Sequence, residues 1–255
     1  MKKRFFVCLF VLLSVVAGFA QGSSRQKTEL LISAAASLMD CMNELKAVYM
    51  AKNPSIIIRC NYGSSGALQQ QIEQGAPADL FFSAGLKQMQ ALIDKGLMDT
   101  STVRNILENY VVLVVPKNGI KLSSFDDLRN PSVTKIGLGD PKSVPASQYA
   151  VQVFRNLGLS DAIAGKLVLA KDVREVLFWV ETGNVDAGVV YSTDAQISDK
   201  VTVSAIAPEN SHQKIVYPIG VVKDSAHPKE ATAFEDFLFS DEAARIFAKY
   251  GFSVI

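Results

Sequence analysis

Ser33-Ala34-Ala35-Ala36-Ser37-Leu38 and Gly63-Ser64-Ser65-Gly66 are junctions of small, uncharged residues. Each follows an apolar run that reads as a strand, Leu30–Ala34 and Ser55–Asn61, and each precedes apolar residues at helical spacing. The first helix carries Leu38, Met42, Leu45, Val48 and Tyr49 up to Asn53-Pro54; the second carries Leu68 and Ile72 and stops at Gly75-Ala76-Pro77. A strand feeding a helix through such a turn aims free backbone N–H groups away from the helix start, which suits an anion.

The rhythm continues outward from these junctions. Asp79–Phe82 is a third strand, leading through Ser83-Ala84-Gly85 to a helix with Met89, Leu92 and Ile93. Asn109–Val115 is a long apolar strand ended by Pro116, and Ser124 is placed to cap a short helix after it. A second series then begins. Its strands are Lys135–Gly139, Lys166–Leu169 and Ala187–Tyr191, and helices follow at Pro145-Ala146, Asp172-Val173 and Ser192-Thr193-Asp194. Ile215–Val222 is another strand, and Ala231–Tyr250 reads as one or two helices. Repeated β-α units predict an α/β fold of two lobes, each a mixed or mostly parallel sheet flanked by helices. The expected boundaries put 29–108 and 223–255 in lobe one and 109–222, with both crossover strands, in lobe two. A cleft between them is the expected binding site.

The chain has 255 residues, and its N-terminus carries Met1-Lys2-Lys3-Arg4, an apolar run from Phe5 to Ala17, and Gly18-Phe19-Ala20. That pattern is an export signal over 1–20; the polar Gln21-Gly22-Ser23-Ser24-Arg25 comes too early for a membrane span. Its removal takes three of 26 basic residues and none of 25 acidic ones, moving the formal charge from +1 to −2. A near-neutral mature chain without a basic run is a poor partner for nucleic acid or an anionic membrane. Cys41 and Cys60 remain after cleavage, and the spacing leaves both a disulfide and two free thiols open. His212 and His227, the only histidines, offer no metal-site or nucleophile pairing by motif.

Read as chemistry, Ser37 is either a helix cap or an anion donor. Ser64 and Ser65 beside two glycines supply hydroxyls and room for close approach. Pro145 pre-organises the N–H of Ala146, Val173 follows a capping Asp172, and Tyr191 ends a strand with a hydroxyl to offer. Arg174, on a helix, is expected to point to solvent or the lobe surface.

At these residues the chain resembles the periplasmic molybdate-binding proteins of ABC transport systems. The likeness runs through Ser33–Leu38, Gly63–Gly66, Gln71-Ile72-Glu73-Gln74-Gly75-Ala76-Pro77-Ala78-Asp79-Leu80-Phe81, Gly139–Ala146, Asp172-Val173-Arg174, Val189–Ala195 and Ala248–Phe252. The resemblance implies a non-enzymatic receptor, acting as a monomer, that needs no cofactor. Its ligand would be molybdate or tungstate, held by Ser37, Ser65, Ala146, Val173 and Tyr191, with molybdenum met only as its oxyanion. It also implies a periplasmic location and an inner-membrane ABC permease as partner. Gly66 and the Ser192-Thr193 pair depart from the family pattern. A receptor for sulfate, thiosulfate or phosphate is the nearest alternative. A serine hydrolase using Ser37 or Ser65 is a remote one, lacking a Gly-X-Ser-X-Gly elbow; a two-lobe sensory domain is another.

Overall fold

A computed structural model describes residues 27–255, so the expected leader at 1–20 lies outside the described residues. The first half builds β1 (Thr28–Ala35), α1 (Met39–Lys52), β2 (Ile56–Gly63), α2 (Ser65–Glu73), β3 (Leu80–Phe82), α3 (Leu86–Asp94) and β4 (Arg104–Asn109). Then come β5 (Val111–Pro116), β6 (Ile136–Gly139), α4 (Pro145–Asn156), the single turn α5 (Ser160–Ile163), β7 (Leu167–Ala170), α6 (Val173–Glu181), β8 (Ala187–Tyr191), α7 (Ser192–Gln196) and β9 (Val201–Ile206). The chain ends with β10 (Ile215–Val221), α8 (Pro228–Leu238), α9 (Asp241–Lys249) and β11 (Ser253–Val254).

Two mixed sheets result, ordered β11-β4-β10-β3-β1-β2 and β7-β6-β8-β5-β9. In the first, β1 runs parallel to β2 and β3, while β10 is antiparallel to β3 and β4. In the second, β6 is parallel to β7 and β8, and β5 is antiparallel to β8 and β9. Helices flank both, giving the two-lobe α/β architecture.

The chain crosses between lobes at Tyr110, the one residue between β4 and β5. One expectation is corrected here. The strand at 215–222, placed by sequence in lobe two, is β10 and lies inside the six-stranded sheet, with Ile219 opposite Phe82 and Ile215 opposite Asn109. All seven of its residues are buried, as a central strand covered on both faces requires. The run expected as one strand from Asn109 likewise splits, Asn109 closing β4, Tyr110 standing between, and Val111–Val115 lying in β5.

Alternate residues of β3 show how the first lobe is layered. Leu80 and Phe82 join the large core under α1, α8 and α9, where the Tyr49 and Phe234 rings meet edge to face at 4.9 Å. Phe81 faces the other way, into a smaller cluster with Leu68, Ile72, Met89 and Leu92 from α2 and α3. Gly75, at φ +83°, ends α2 in the left-handed conformation that favours glycine. Cys41 and Cys60 are free thiols; Cys41 is buried and donates to the Leu38 carbonyl at 3.1 Å.

Candidate functional site

Helix starts from both lobes converge on one cavity. From the first lobe come Ala35, Ala36 and Ser37 at the 3-10 turn before α1, and Gly63, Ser64 and Ser65 at the start of α2, joined by Ala84. From the second come Val144, Pro145 and Ala146 at the start of α4, Asp172 and Val173 at α6, and Tyr191 at the end of β8. The cavity they leave is small, about 10 Å³. All five residues singled out from sequence are in this lining, and each is at most 4% exposed.

Local structure explains why donors face inward. First-turn amides of a helix have no carbonyl four residues back, so they are free to bind a guest. Pro145 occupies the first position of α4, with φ fixed for the turn, and directs the next amide, that of Ala146. Ser64 and Asp172 cap α2 and α6, accepting from Ala67 N at 3.4 Å and Glu175 N at 3.0 Å. The capping role therefore falls on Ser64, and Ser65 is free for another. Asp172 is the only charged residue in the lining, and its carboxylate is turned to its own helix.

The hydroxyls are held by buried partners. Ser65 Oγ accepts from Ala84 N at 2.9 Å, and the Tyr191 hydroxyl donates to Ala84 O at 3.0 Å, so one residue, Ala84, links a serine of the first lobe to the tyrosine of the second. Ser37 Oγ lies 3.1 Å from the Tyr217 hydroxyl, which in turn accepts from Asn109 Nδ2 at 3.1 Å. Burial pushes both phenols well above their ordinary value, so they stay protonated donors. Neither histidine lines the cavity: His212 Nδ1 sits 2.7 Å from Gln213 O, and His227 precedes α8. Among the described residues no His, Cys, Asp or Glu group is placed to hold a metal ion.

A two-lobe α/β fold closing helix ends over a small cavity is the architecture of a solute receptor, and comparison with known proteins agrees. The family of bacterial extracellular solute-binding proteins matches residues 30–253. The chain belongs to that family. A Bacillus subtilis relative named "Putative ABC transporter substrate-binding lipoprotein YvgL" is 46% identical over 99% of this chain and 98% of its own. The molybdate-binding protein ModA of Escherichia coli is 37% identical over 89% of each chain. Among solved structures, the periplasmic molybdate-binding protein of Azotobacter vinelandii superposes with a TM-score of 0.81 over 89% of this chain and 99% of its own, at 22% identity, which speaks for the fold. This solute-binding protein is a non-catalytic transport protein.

The lobes of the solute-binding protein are in contact over the cavity. Gly66 N in α2 donates to Ser143 O before α4 at 2.8 Å, and Gln88 of α3 meets Gln148 of α4 at 3.2 Å. Arg174 corrects the expectation of a solvated side chain. Its guanidinium reaches Asp40 of α1 across the cleft at 2.6 Å and lies 2.9 Å from Asp194 Oδ1, near enough for ion pairing but not aligned as a hydrogen bond. Burial pushes the Asp194 carboxyl up to about 6, against the pull of Arg174. Burial also opposes the charge on Arg174, but the two carboxylates outweigh it and hold the guanidinium above its usual range. Sequence reading missed Tyr217, Asn109 and this pairing; Asn109 at a strand end was the one available signal.

Proposed function

We propose that this protein binds molybdate, and tungstate as well, outside the cytoplasm and delivers it to an ABC permease in the membrane. The carrying observation is the cavity between the lobes, whose polar lining is first-turn amides and hydroxyls, with no cationic side chain. A fully deprotonated tetrahedral dianion suits a site of donors alone, and helix starts supply the positive potential. Several relatives are named for molybdate, which favours it over other oxyanions. In this reading Ser37 and Ser65 form one half-site, and Ala146, Val173 and Tyr191 close on the anion from the other. Binding energy shared between half-sites is what shifts an open population toward closed. The export signal is cleaved and the mature chain acts as a monomer in the periplasm.

Calorimetry on the mature chain with molybdate, tungstate, sulfate, thiosulfate and phosphate tests this. Molybdate and tungstate should bind far more tightly than the rest; sulfate binding of equal strength would transfer the assignment to a general oxyanion receptor. Ser65→Ala should cost about 1 to 3 kcal/mol of molybdate binding, the range for a hydrogen bond to a charged group. Tyr191→Phe should cost less, because the phenol has a single proton and already spends it on Ala84 O. Binding the anion exchanges one acceptor for another, so only the difference is lost.

The pH profile separates this site from one built on histidine. Serines and amides do not titrate, and both phenols lie above their ordinary range. Molybdate affinity should therefore stay flat from about pH 7 to 9; a decline across that interval would mean that a cation holds the ligand.

A further inference from the structure

The hydrogen bonds around Asn109 have a direction that can be read without seeing a proton. Tyr110 N can only donate, and it lies 2.8 Å from Asn109 Oδ1, which identifies the oxygen of that amide. Ser192 Oγ donates to the same oxygen at 2.9 Å. Nδ2 must then be the donor to Thr193 Oγ1 at 2.9 Å and to the Tyr217 hydroxyl oxygen at 3.1 Å. Tyr217 is fully buried; besides Asn109 its hydroxyl meets Ser37 Oγ at 3.1 Å, while the neighbouring Tyr191 hydroxyl, whose proton goes to Ala84 O, forms no aligned hydrogen bond with it. The one proton of Tyr217 goes to Ser37 Oγ. Ser37 Oγ thus accepts from behind, leaving its own proton for the cavity that Ser37 lines. The Ala84 amide imposes the same polarity on Ser65.

We propose that Asn109 and Tyr217 are positioning residues that fix Ser37 as a hydrogen-bond donor and thereby make the site specific for oxyanions carrying no proton. The relay Asn109 to Tyr217 to Ser37 ends at the anion. An anion oxygen bearing a proton can reach the remaining lone pair of Ser37 Oγ only by turning that hydroxyl's own proton away from the anion, where it has no other acceptor. Asn109 is the last residue of β4, one residue from the crossover, and Ser192 and Thr193 hold it from the second lobe, so contacts spanning the hinge set the polarity. This inference rests on the oxyanion reading above and adds two residues that touch no ligand.

The test is a double-mutant cycle of Tyr217→Phe with Ser37→Ala, read by calorimetry with molybdate, and with phosphate near pH 6, where phosphate carries a proton. Tyr217→Phe alone should weaken molybdate by about tenfold, one charge-assisted hydrogen bond misdirected, and should narrow the molybdate-to-phosphate ratio. In the Ser37→Ala background the same change should alter affinity by less than about twofold, because no hydroxyl is left to orient. Losses that simply multiply would overturn the proposal, since a general loosening of the core would act with or without Ser37. Thermal melting of the ligand-free variants verifies folding. Should Tyr217→Phe fail to fold, Asn109→Asp takes its place: the carboxylate makes Tyr217 donate backwards and Ser37 donate to Tyr217. Its buried charge repels the anion in both backgrounds, so a loss that is larger when Ser37 is present supports the relay, and an equal loss overturns it. A wild-type protein that binds none of the five oxyanions would refute the functional reading itself, which is distinguishable from a bound anion with an additive cycle.

Discussion

Replacing Gly66 with alanine is expected to weaken molybdate binding by about 100-fold or more while leaving the ligand-free protein as stable as before, or slightly more stable. A Cβ at this position would stand 2.6 Å from both Cα and O of Ser143, and these are backbone atoms of the opposing lobe that no rotamer change can withdraw. The lobes would have to part. Parting breaks the Gly66 to Ser143 bond and draws the second-lobe amides and Tyr191 back from the cavity. Losing the equivalent of one to two charge-assisted bonds at about 1.5 to 3 kcal/mol each corresponds to about two decades of affinity. The stability effect has the opposite sign, because alanine is better than glycine inside a helix by about 0.5 to 1 kcal/mol, and Gly66 is the second residue of α2. Calorimetry paired with thermal melting reads both, and small-angle scattering should show less compaction on adding molybdate. Wild-type affinity in Gly66→Ala would mean that the lobes need not approach this closely. The departure from the family pattern at this position thus has a local cause in the proximity of Ser143.

The same pairing of glycine and opposing loop shows which parts of the molecule a sequence discloses. Helix starts are local events, written in small residues, a proline or a capping side chain. So the junctions at Ser37, Ser65, Ala146 and Val173 were readable one at a time, and the β-α rhythm gave the two-lobe fold. Pairing partners are not local. Ile215–Val221 is plainly a strand by its apolar run, but nothing in that run says that it lies antiparallel between β3 and β4. The edge strand β9 escaped because Val201–Ile206 is half exposed and lacks a continuous apolar run. Tyr217 reads as one more core residue of β10; only its meeting with Ser37, 180 positions away, gives its hydroxyl a task. Arg174 was misjudged for the same reason. A helical position predicts a direction in space, not the carboxylates that await there from α1 and α7.

Those carboxylates make Arg174→Ala the substitution with the largest expected cost in stability. Asp194 is fully buried, its Oδ2 accepts from Tyr191 N at 3.3 Å, and Arg174 is the cation beside it. Removing one partner of a buried pair leaves the other charge uncompensated, at about 3 to 5 kcal/mol. The pH dependence distinguishes this cause from lost packing. Burial already holds the Asp194 carboxyl at about 6, and without Arg174 it must rise further. For a carboxyl whose folded value exceeds its unfolded one, the folded state binds more protons between the two, so stability falls as pH rises. The penalty is full above the folded value, shrinks steadily as pH drops below it, and is gone below the unfolded value. Urea unfolding should therefore show the whole deficit at pH 8 and a much smaller one at pH 5, whereas a deficit independent of pH would indicate packing alone. Adding Asp194→Asn to Arg174→Ala should recover most of the loss at pH 8, since the amide oxygen can still accept from Tyr191 N. Asp40→Asn supplies the contrast. Its carboxylate is 41% exposed, and such a pair is worth about 0 to 1 kcal/mol. That small effect should appear in molybdate affinity, because the Asp40 to Arg174 contact forms across the cleft, and not in the unfolding of either lobe.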